Sequence, residues 1–341
     1  MTRGMALTRS FLLVAAACVF IIPSVAGQTL PACRLRQVFA VAVHGGEFSR
    51  STDTAKGETR LAVIKSALEA ARTSLRDGAG SVDVVEQIVR TFEDSGTFNA
   101  GRGAIANAAG QVETDAAIMD GNGLRAGGVA SMTNLKNPIV AARLVMDANV
   151  HVLVVGDRGQ AYAEKLGAEA VPDGYFSNTG KLTRPPQQEM PKPEHGTVGA
   201  VALDRCGHLA AATSTGGFQA KVPGRVGDSP LVGDGVFAAD GVAAFSGTGY
   251  GEYFIRYNVA KDAADRIRYA KQPIGKAMHA VLFDVLKPLK AEGGMIGIDA
   301  KGNVAMQFNA LGMFRGYATG REAPVVAQYE GATASKSERQ R

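Results

Sequence analysis

The apolar residues of this chain follow two spacings. Val38 to Val43 is a short continuous run ending in the glycine turn His44-Gly45-Gly46, which predicts a buried strand. Leu61, Ile64, Leu68, Ala71 and Leu75 recur at helical spacing and predict a helix from Glu58 to Asp77, stopped by Gly78. Ser81 is placed to cap a second helix carrying Val85, Ile88, Val89 and Phe92. Val112 to Met119 and Leu124 to Met132 flank Asp120-Gly121-Asn122-Gly123, which is hairpin-turn chemistry. Asn137-Pro138 opens another helix with Ile139, Ala142, Val145 and Met146 facing inward, and Val150 to Val155 reads as a further buried strand.

Periodicity then lapses. Residues 168–196 collect Pro172, Pro185, Pro186, Pro191 and Pro193 and predict a mobile linker. From Thr197 the alternation resumes, and Arg205-Cys206-Gly207 separates it from Leu209 to Thr215. A three-residue hairpin loop with Gly207 left-handed pairs Asp204 with His208, and this register sets Thr215 opposite Thr197, their Cβ atoms about 5 Å apart. Val242 to Phe245 leads into Ser246-Gly247-Thr248-Gly249-Tyr250-Gly251-Glu252, a strand passing through glycines into a helix. Helices are predicted over Glu252 to Tyr269 and Ile274 to Leu289, then a hairpin of Met295 to Ile298 and Val304 to Phe308, then a disordered polar tail at 332–341. Helices succeeding strands predict helical layers packed over sheet, an α/β fold.

Composition sharpens this picture. Glycine supplies 42 of 341 residues and Trp none, so the chain relies on tight turns and close backbone contacts rather than on large rings. The net charge of +5 is spread without a basic stripe, which argues against nucleic-acid binding. Arg3 and Arg9, the apolar run Phe11 to Ile22, and the small residues Ser24 to Gly27 have the order of a secretory signal over residues 1–26. That run is short of the roughly 20 residues needed to span a bilayer, so an exported, periplasmic or extracellular protein without a membrane segment is expected. Cys33 and Cys206 remain after the signal; their spacing does not indicate a disulfide, and two lone thiols are expected.

The candidate chemistry centres on Gly196-Thr197. A threonine hydroxyl is a weak nucleophile without a neighbouring base, and no Ser/His/Asp spacing supplies one. Cutting the chain before Thr197 would expose an α-amine, with a pKa of about 7.7 to 8.0, to serve as that base. The competing reading is ordinary strand propensity. Arg225 and Asp228, three residues apart in a turn-rich loop, suit the carboxylate and ammonium of an amino-acid head group, or else form a salt bridge with each other. The glycines around Thr248 suit an oxyanion site; a phosphate site is disfavoured because the P-loop lysine is missing. Phe98-Asn99-Ala100-Gly101-Arg102-Gly103 is a connector or a ligand-shaping loop, and His44 reads as a structural strand-end histidine.

Four blocks in order, Phe98-Asn99-Ala100-Gly101, Gly196-Thr197-Val198-Gly199-Ala200-Val201-Ala202, Ala212-Thr213-Ser214-Thr215-Gly216-Gly217 and Gly224-Arg225-Val226-Gly227-Asp228-Ser229-Pro230, resemble the plant-type asparaginase and isoaspartyl peptidase family of N-terminal nucleophile (Ntn) hydrolases. The resemblance runs from about Val38 to Tyr329. It implies an αββα four-layer sandwich of two stacked, mostly antiparallel sheets between helical layers. It also implies self-cleavage at Gly196-Thr197 into an α subunit (27–196) and a β subunit (197–341) that associate as (αβ)2. By the resemblance, Thr197 is the nucleophile, positioned by Thr215 and ordered by Asn99. Arg225 and Asp228 hold the substrate's α-carboxylate and α-amine, and Thr248 and Gly249 form the oxyanion hole. Backbone carbonyls of Phe92, Glu93, Ser95, Phe98, Ala100 and Arg102 are implied to bind a structural sodium ion, while the chemistry itself needs no cofactor. The implied substrates are asparagine and β-aspartyl dipeptides. Where the family has HGGAG this chain has His44-Gly45-Gly46-Glu47-Phe48, an acid and a ring in place of two small residues. Two alternatives stand beside this reading: a glycosylasparaginase-like amidase, disfavoured because those enzymes carry Asp-Thr at the cut, and an unprocessed exported binding protein for β-aspartyl peptides.

Overall fold

A computed structural model describes residues 1, 33, 35, 37–48, 54–172, 174–176 and 196–330. Apart from Met1, the predicted signal segment lies outside them, as do most of the predicted linker and the whole polar tail. Residues 1–34 and 35–341 form separate units, and the second carries the fold.

The first half supplies β1 (Ala40–Phe48), α1 (Thr54–Arg76), α2 (Ser81–Ser95), β2 (Thr114–Asp120), β3 (Arg125–Met132), α3 (Pro138–Ala148), β4 (Leu153–Val155) and α4 (Gly156–Lys165). The second supplies β5 (Val198–Leu203), β6 (Leu209–Thr215), β7 (Val236–Ala239), β8 (Ala243–Gly249), α5 (Gly251–Tyr257), α6 (Val259–Arg268), α7 (Ile274–His279), β9 (Gly293–Asp299), β10 (Val304–Phe308), β11 (Gly312–Thr319) and β12 (Val325–Ala327). Eight strands make one sheet in the order β12-β11-β1-β5-β6-β2-β3-β4, and four make the other, β10-β9-β8-β7. Every pairing is antiparallel except that of β3 with β4.

The continuous apolar run of β1 has a direct cause. Val41 and Val43 enter the core under α1, α2 and α3, while Ala40 and Ala42 face the core shared with the second sheet. A strand covered on both faces has no polar side to alternate with. Residues from α6 and α7 join that second core, so the layers run helix, sheet, sheet, helix, as the α/β sandwich expectation requires.

Several local expectations need correction. Gly80, not Ser81, occupies the cap position of α2, and the Ser81 N–H donates to Asp204 Oδ2 at 3.0 Å, a carboxylate brought from the β5–β6 turn. The strand expected over Val150 to Val155 is only β4, an edge with Leu153 and Val155 exposed. The helix expected from Glu252 to Tyr269 breaks at Asn258, which is left-handed at φ 46°. α7 widens into a π turn over Ala280–Leu286 before Pro288, which has no N–H to continue an α-helix. Cys33 and Cys206 are both disulfide-bonded rather than lone thiols, because sequence spacing carries no information on spatial distance once sheets assemble.

Candidate functional site

Thr197 stands at the head of β5, a central strand between β1 and β6. Gly207 is left-handed at φ 89° and the Asp204 N–H bonds the His208 carbonyl at 3.0 Å, so the three-residue loop forms as expected. Leu203 therefore pairs with Leu209 and Val198 with Ser214, which leaves Thr197 facing Thr215. The Thr197 hydroxyl donates to Thr215 Oγ1 at 3.1 Å. Thr215 Oγ1 also accepts the Gly217 N–H at 3.0 Å, so both of its lone pairs are engaged.

Asn99 supports this pair from behind. Its amide donates to the Gly217 carbonyl, its Oδ1 accepts the Ile105 N–H at 3.0 Å, and its carbonyl accepts the Gly216 N–H. The glycine turn that bonds Thr215 is thus held by the Phe98–Gly103 loop. Gly216 has no room for a side chain, since a Cβ there would lie 2.8 Å from that of Ala104.

Thr197, Thr215, Arg225, Asp228, Thr248 and Gly249 line one cleft of about 20 Å³, with Gly196 in its wall. That is room for about one water. Asp228 is buried with Oδ2 unpartnered among the described residues, and burial pushes its carboxyl up to about 7 against the pull of the Arg225 cation. An orphaned carboxylate oxygen beside a nucleophile is suited to a ligand ammonium. Arg225 does not pair with Asp228. Its Nε and Nη2 grip both oxygens of Glu252 at 3.0 Å, and its guanidinium lies 4.4 Å from the centre of the Phe218 ring.

Thr248 is fully buried, and its Oγ1 accepts the Glu47 N–H at 3.4 Å. Gly249 closes β8 at φ 152°, and a Cβ there would lie 2.7 Å from the Glu292 carbonyl. His44 is fully buried and its Nε2 lies 2.8 Å from Ser246 Oγ, tying the two sheets together; burial drives it down to about 3, so it stays neutral. That agrees with a structural histidine but not with a strand end: β1 runs on through His44-Gly45-Gly46 to Phe48, the glycines forming a bulge against β11 instead of a turn.

Four neighbours were not singled out as site residues from the sequence. Ser229 Oγ lies 3.4 Å from Thr197 Oγ1, and the Ser229 carbonyl accepts the Thr213 hydroxyl at 3.0 Å. Glu252 could have been suspected as the acid closing the glycine stretch. Glu113 accepts the Gly224 N–H at 2.8 Å and so pins the turn before Arg225. Glu47 lines the cleft as a buried acid, pushed up to about 8 by burial and then by Glu292.

The stretch expected to bind sodium wraps from α2 into the next loop. The Phe92 carbonyl accepts the Ser95 hydroxyl at 2.7 Å, that of Phe98 the Ala100 N–H at 2.9 Å, and that of Ala100 the Gly103 N–H at 3.1 Å. The carbonyls of Phe98 and Gly96 converge where a Cβ of Gly103 would lie. The described residues contain no group of three or more His, Cys, Asp or Glu able to hold a metal ion.

Comparison with known proteins places this geometry. An asparaginase family model matches residues 37–328. The chain is 40% identical over 308 residues to an isoaspartyl peptidase of Escherichia coli, covering 85% of this chain and 95% of that one. It is 38% identical over 293 residues to a plant-type L-asparaginase of Pyrobaculum calidifontis, covering 81% and 95%. It is 36% identical over 281 residues to an isoaspartyl peptidase/L-asparaginase of Bos taurus, covering 80% and 91%. With the match spanning both sheets and the whole cleft, the chain belongs to the asparaginase family.

Proposed function

We propose that this protein is a self-processing threonine hydrolase that releases aspartate from asparagine and from N-terminal β-aspartyl dipeptides. The observation that carries this is the Thr197 hydroxyl at the head of β5, aimed at Thr215 Oγ1, in one cleft with a buried Asp228 whose Oδ2 is unpartnered among the described residues. Relatives named as isoaspartyl peptidases and asparaginases support it.

The chemistry uses one hydroxyl twice. Thr197 first attacks the carbonyl carbon of Gly196, and water opens the resulting ester. The freed α-amine then acts as base while the same oxygen attacks the β-carbonyl of the substrate. Asp228 takes the substrate ammonium and Arg225 its α-carboxylate, so only a substrate with both groups free presents its β-carbonyl to Thr197. Thr248 and the Gly249 N–H face the oxyanion. Water then hydrolyses the aspartyl ester. Because Gly196 forms part of the wall of a cleft too small for a substrate, cutting the chain also opens the site.

Export, an (αβ)2 assembly and a sodium ion on the carbonyls of the Phe92–Arg102 stretch belong to the same proposal. The convergence of the Gly96 and Phe98 carbonyls suits a weakly held cation that would stiffen the Asn99 loop.

Intact mass and N-terminal sequencing after incubation near pH 8 test the processing, with a fragment Thr197–Arg341 expected. Aspartate release from asparagine and β-aspartyl dipeptides tests the turnover, and Thr197→Ala should abolish both. A wild-type chain that stays whole and inactive overturns the proposal.

A further inference from the structure

The base of the finished enzyme is the α-amine of Thr197, and that amine does not exist until the Gly196–Thr197 bond is broken. The first cut must be served by another group. Neither Thr215 nor Ser229, the hydroxyls around Thr197 Oγ1, is basic.

The titratable side chains lining the cleft, among the described residues, are Glu47, Arg225, Asp228 and Tyr250. Arg225 is a cation clasped by Glu252. Asp228 Oδ1 sits by Gly251, where a Cβ would lie 2.8 Å away, on the Arg225 side. Glu47 is on the Gly196 side. A Cβ on Gly196 would lie 2.7 Å from Glu47 N, and Glu47 also lines a second small cavity that shares Gly196 with Asn99 and Phe98. The Glu47 side chain is buried and its Oε2 has no hydrogen-bond partner among the described residues. A desolvated carboxyl with one oxygen unsatisfied is costly to keep unless it serves a purpose.

We infer that Glu47 is the acid–base residue of the self-cleavage step, acting on the Gly196–Thr197 bond that its backbone packs against. This rests on the hydrolase reading above. As the bond from Thr197 Oγ to the Gly196 carbonyl carbon forms, one oxygen of the neutral carboxyl takes the hydroxyl proton. Its other oxygen gives a proton to the Thr197 nitrogen as the C–N bond breaks. Glu47 ends neutral, as it began, and the peptide has isomerised to an ester plus an amine. Water then supplies OH to Gly196 and H to Thr197 Oγ.

The surroundings favour the neutral acid. Glu292 repels its anion, Tyr250 lies at the end of β8, and burial holds it protonated to about pH 8. The opposing charges are Arg225 across the cleft and Arg60, from α1, on the second cavity. Asp228 adds a further acid across the cleft, and His44 on the same strand stays neutral.

The test follows cleavage of full-length protein after cell-free synthesis, by gel and intact mass, from pH 6 to 10, in wild type, Glu47→Gln, Glu47→Ala and Glu47→Asp. Wild type should cut most slowly above pH 8, where the acid form is lost. Glu47→Gln and Glu47→Ala should cut at least tenfold more slowly, with that pH dependence gone, and Glu47→Asp should recover part of the rate. A Gln variant with a wild-type circular dichroism spectrum that cuts within twofold of wild type overturns the inference. If the Gln variant does not fold, the wild-type profile decides: a fall above pH 8 supports the inference and a flat profile overturns it. A wild-type chain that never cuts removes the hydrolase reading along with it, whereas a cutting wild type with an indifferent Gln variant removes this one alone.

Discussion

Gly46 and Gly196 are in backbone contact: a Cβ on Gly196 would lie 2.5 Å from the Gly46 Cα, and Gly46 is itself left-handed at φ 94°. Two glycines from segments 150 residues apart in the chain thus seat the bond that is proposed to be cut. Gly46→Ala should add a left-handed penalty of about 1–2 kcal/mol and push Gly196 out of place. The expected result is at least tenfold slower appearance of the Thr197–Arg341 fragment. Gly78→Ala is the control, because Gly78 has φ 101° with nothing within 4 Å of its Cβ position. It should lose stability by a similar amount and still cut normally. Equal cutting by both variants would mean that the contact is irrelevant.

Thr215 accepts a hydrogen bond from the Thr197 hydroxyl at 3.1 Å and is itself held by the Gly217 N–H. Thr215→Val keeps the shape and removes the acceptor, so kcat should fall by about 10²-fold, the cost of a misaimed nucleophile. Thr215→Ser should keep most of the activity. Steady-state kinetics on processed protein separates the two, and equal losses would show that the methyl group, not the hydroxyl, is what matters.

The Thr197–Thr215 pair was legible in the sequence because a three-residue loop with a left-handed glycine dictates register, and register dictates what faces what. The continuous apolar run of β1 likewise announced a buried strand, whereas β5, read as alternating, is buried along its whole length. Pairings set only by the assembled fold were not legible. Asp204 reaches across to the Ser81 N–H, and Glu93 takes the Ile139 N–H at 3.0 Å and the Ser214 hydroxyl at 2.6 Å. Asp204 thus does the capping expected of Ser81, while Asn137 keeps the cap position of α3 and leaves an N–H of the first turn to Glu93. The Arg225–Asp228 salt bridge failed in the same way: both side chains lie by Gly251, but the guanidinium pairs with Glu252 instead.

Arg225 gives Nε and Nη2 to Glu252 and lies over Phe218, so its fork is aimed before any ligand arrives. Glu252→Gln should loosen that aim and raise KM for asparagine by a few-fold, with kcat nearly unchanged. Arg225→Lys should raise KM much more, since an ammonium cannot serve Glu252 and a substrate carboxylate as a planar fork does. A lower KM in Glu252→Gln would instead make Glu252 a competitor for the guanidinium.

Glu93 is buried under α3, and burial pushes its carboxyl up to about 8 despite the bonds from Ser214, Ile139 and Asn137. Between the ordinary glutamate value and 8 the folded protein keeps this proton while the unfolded chain releases it. Folding therefore binds a proton in that window, and the stability that Glu93 contributes is complete below about pH 4.5 and lost as pH rises towards 8. Glu93→Gln keeps an acceptor for the Ser214 and Ile139 bonds and has no proton to lose. Glu47 and Asp228 are shifted the same way and His44 the opposite way, but they are common to both proteins and cancel in the comparison. The difference in Tm, variant minus wild type, should thus rise from pH 5 to pH 8 and level off above it, by about 2–4 °C for each kcal/mol of lost linkage. Melting curves at five or six pH values read this directly, and a difference that stays flat would mean that Glu93 is ionised in the folded protein.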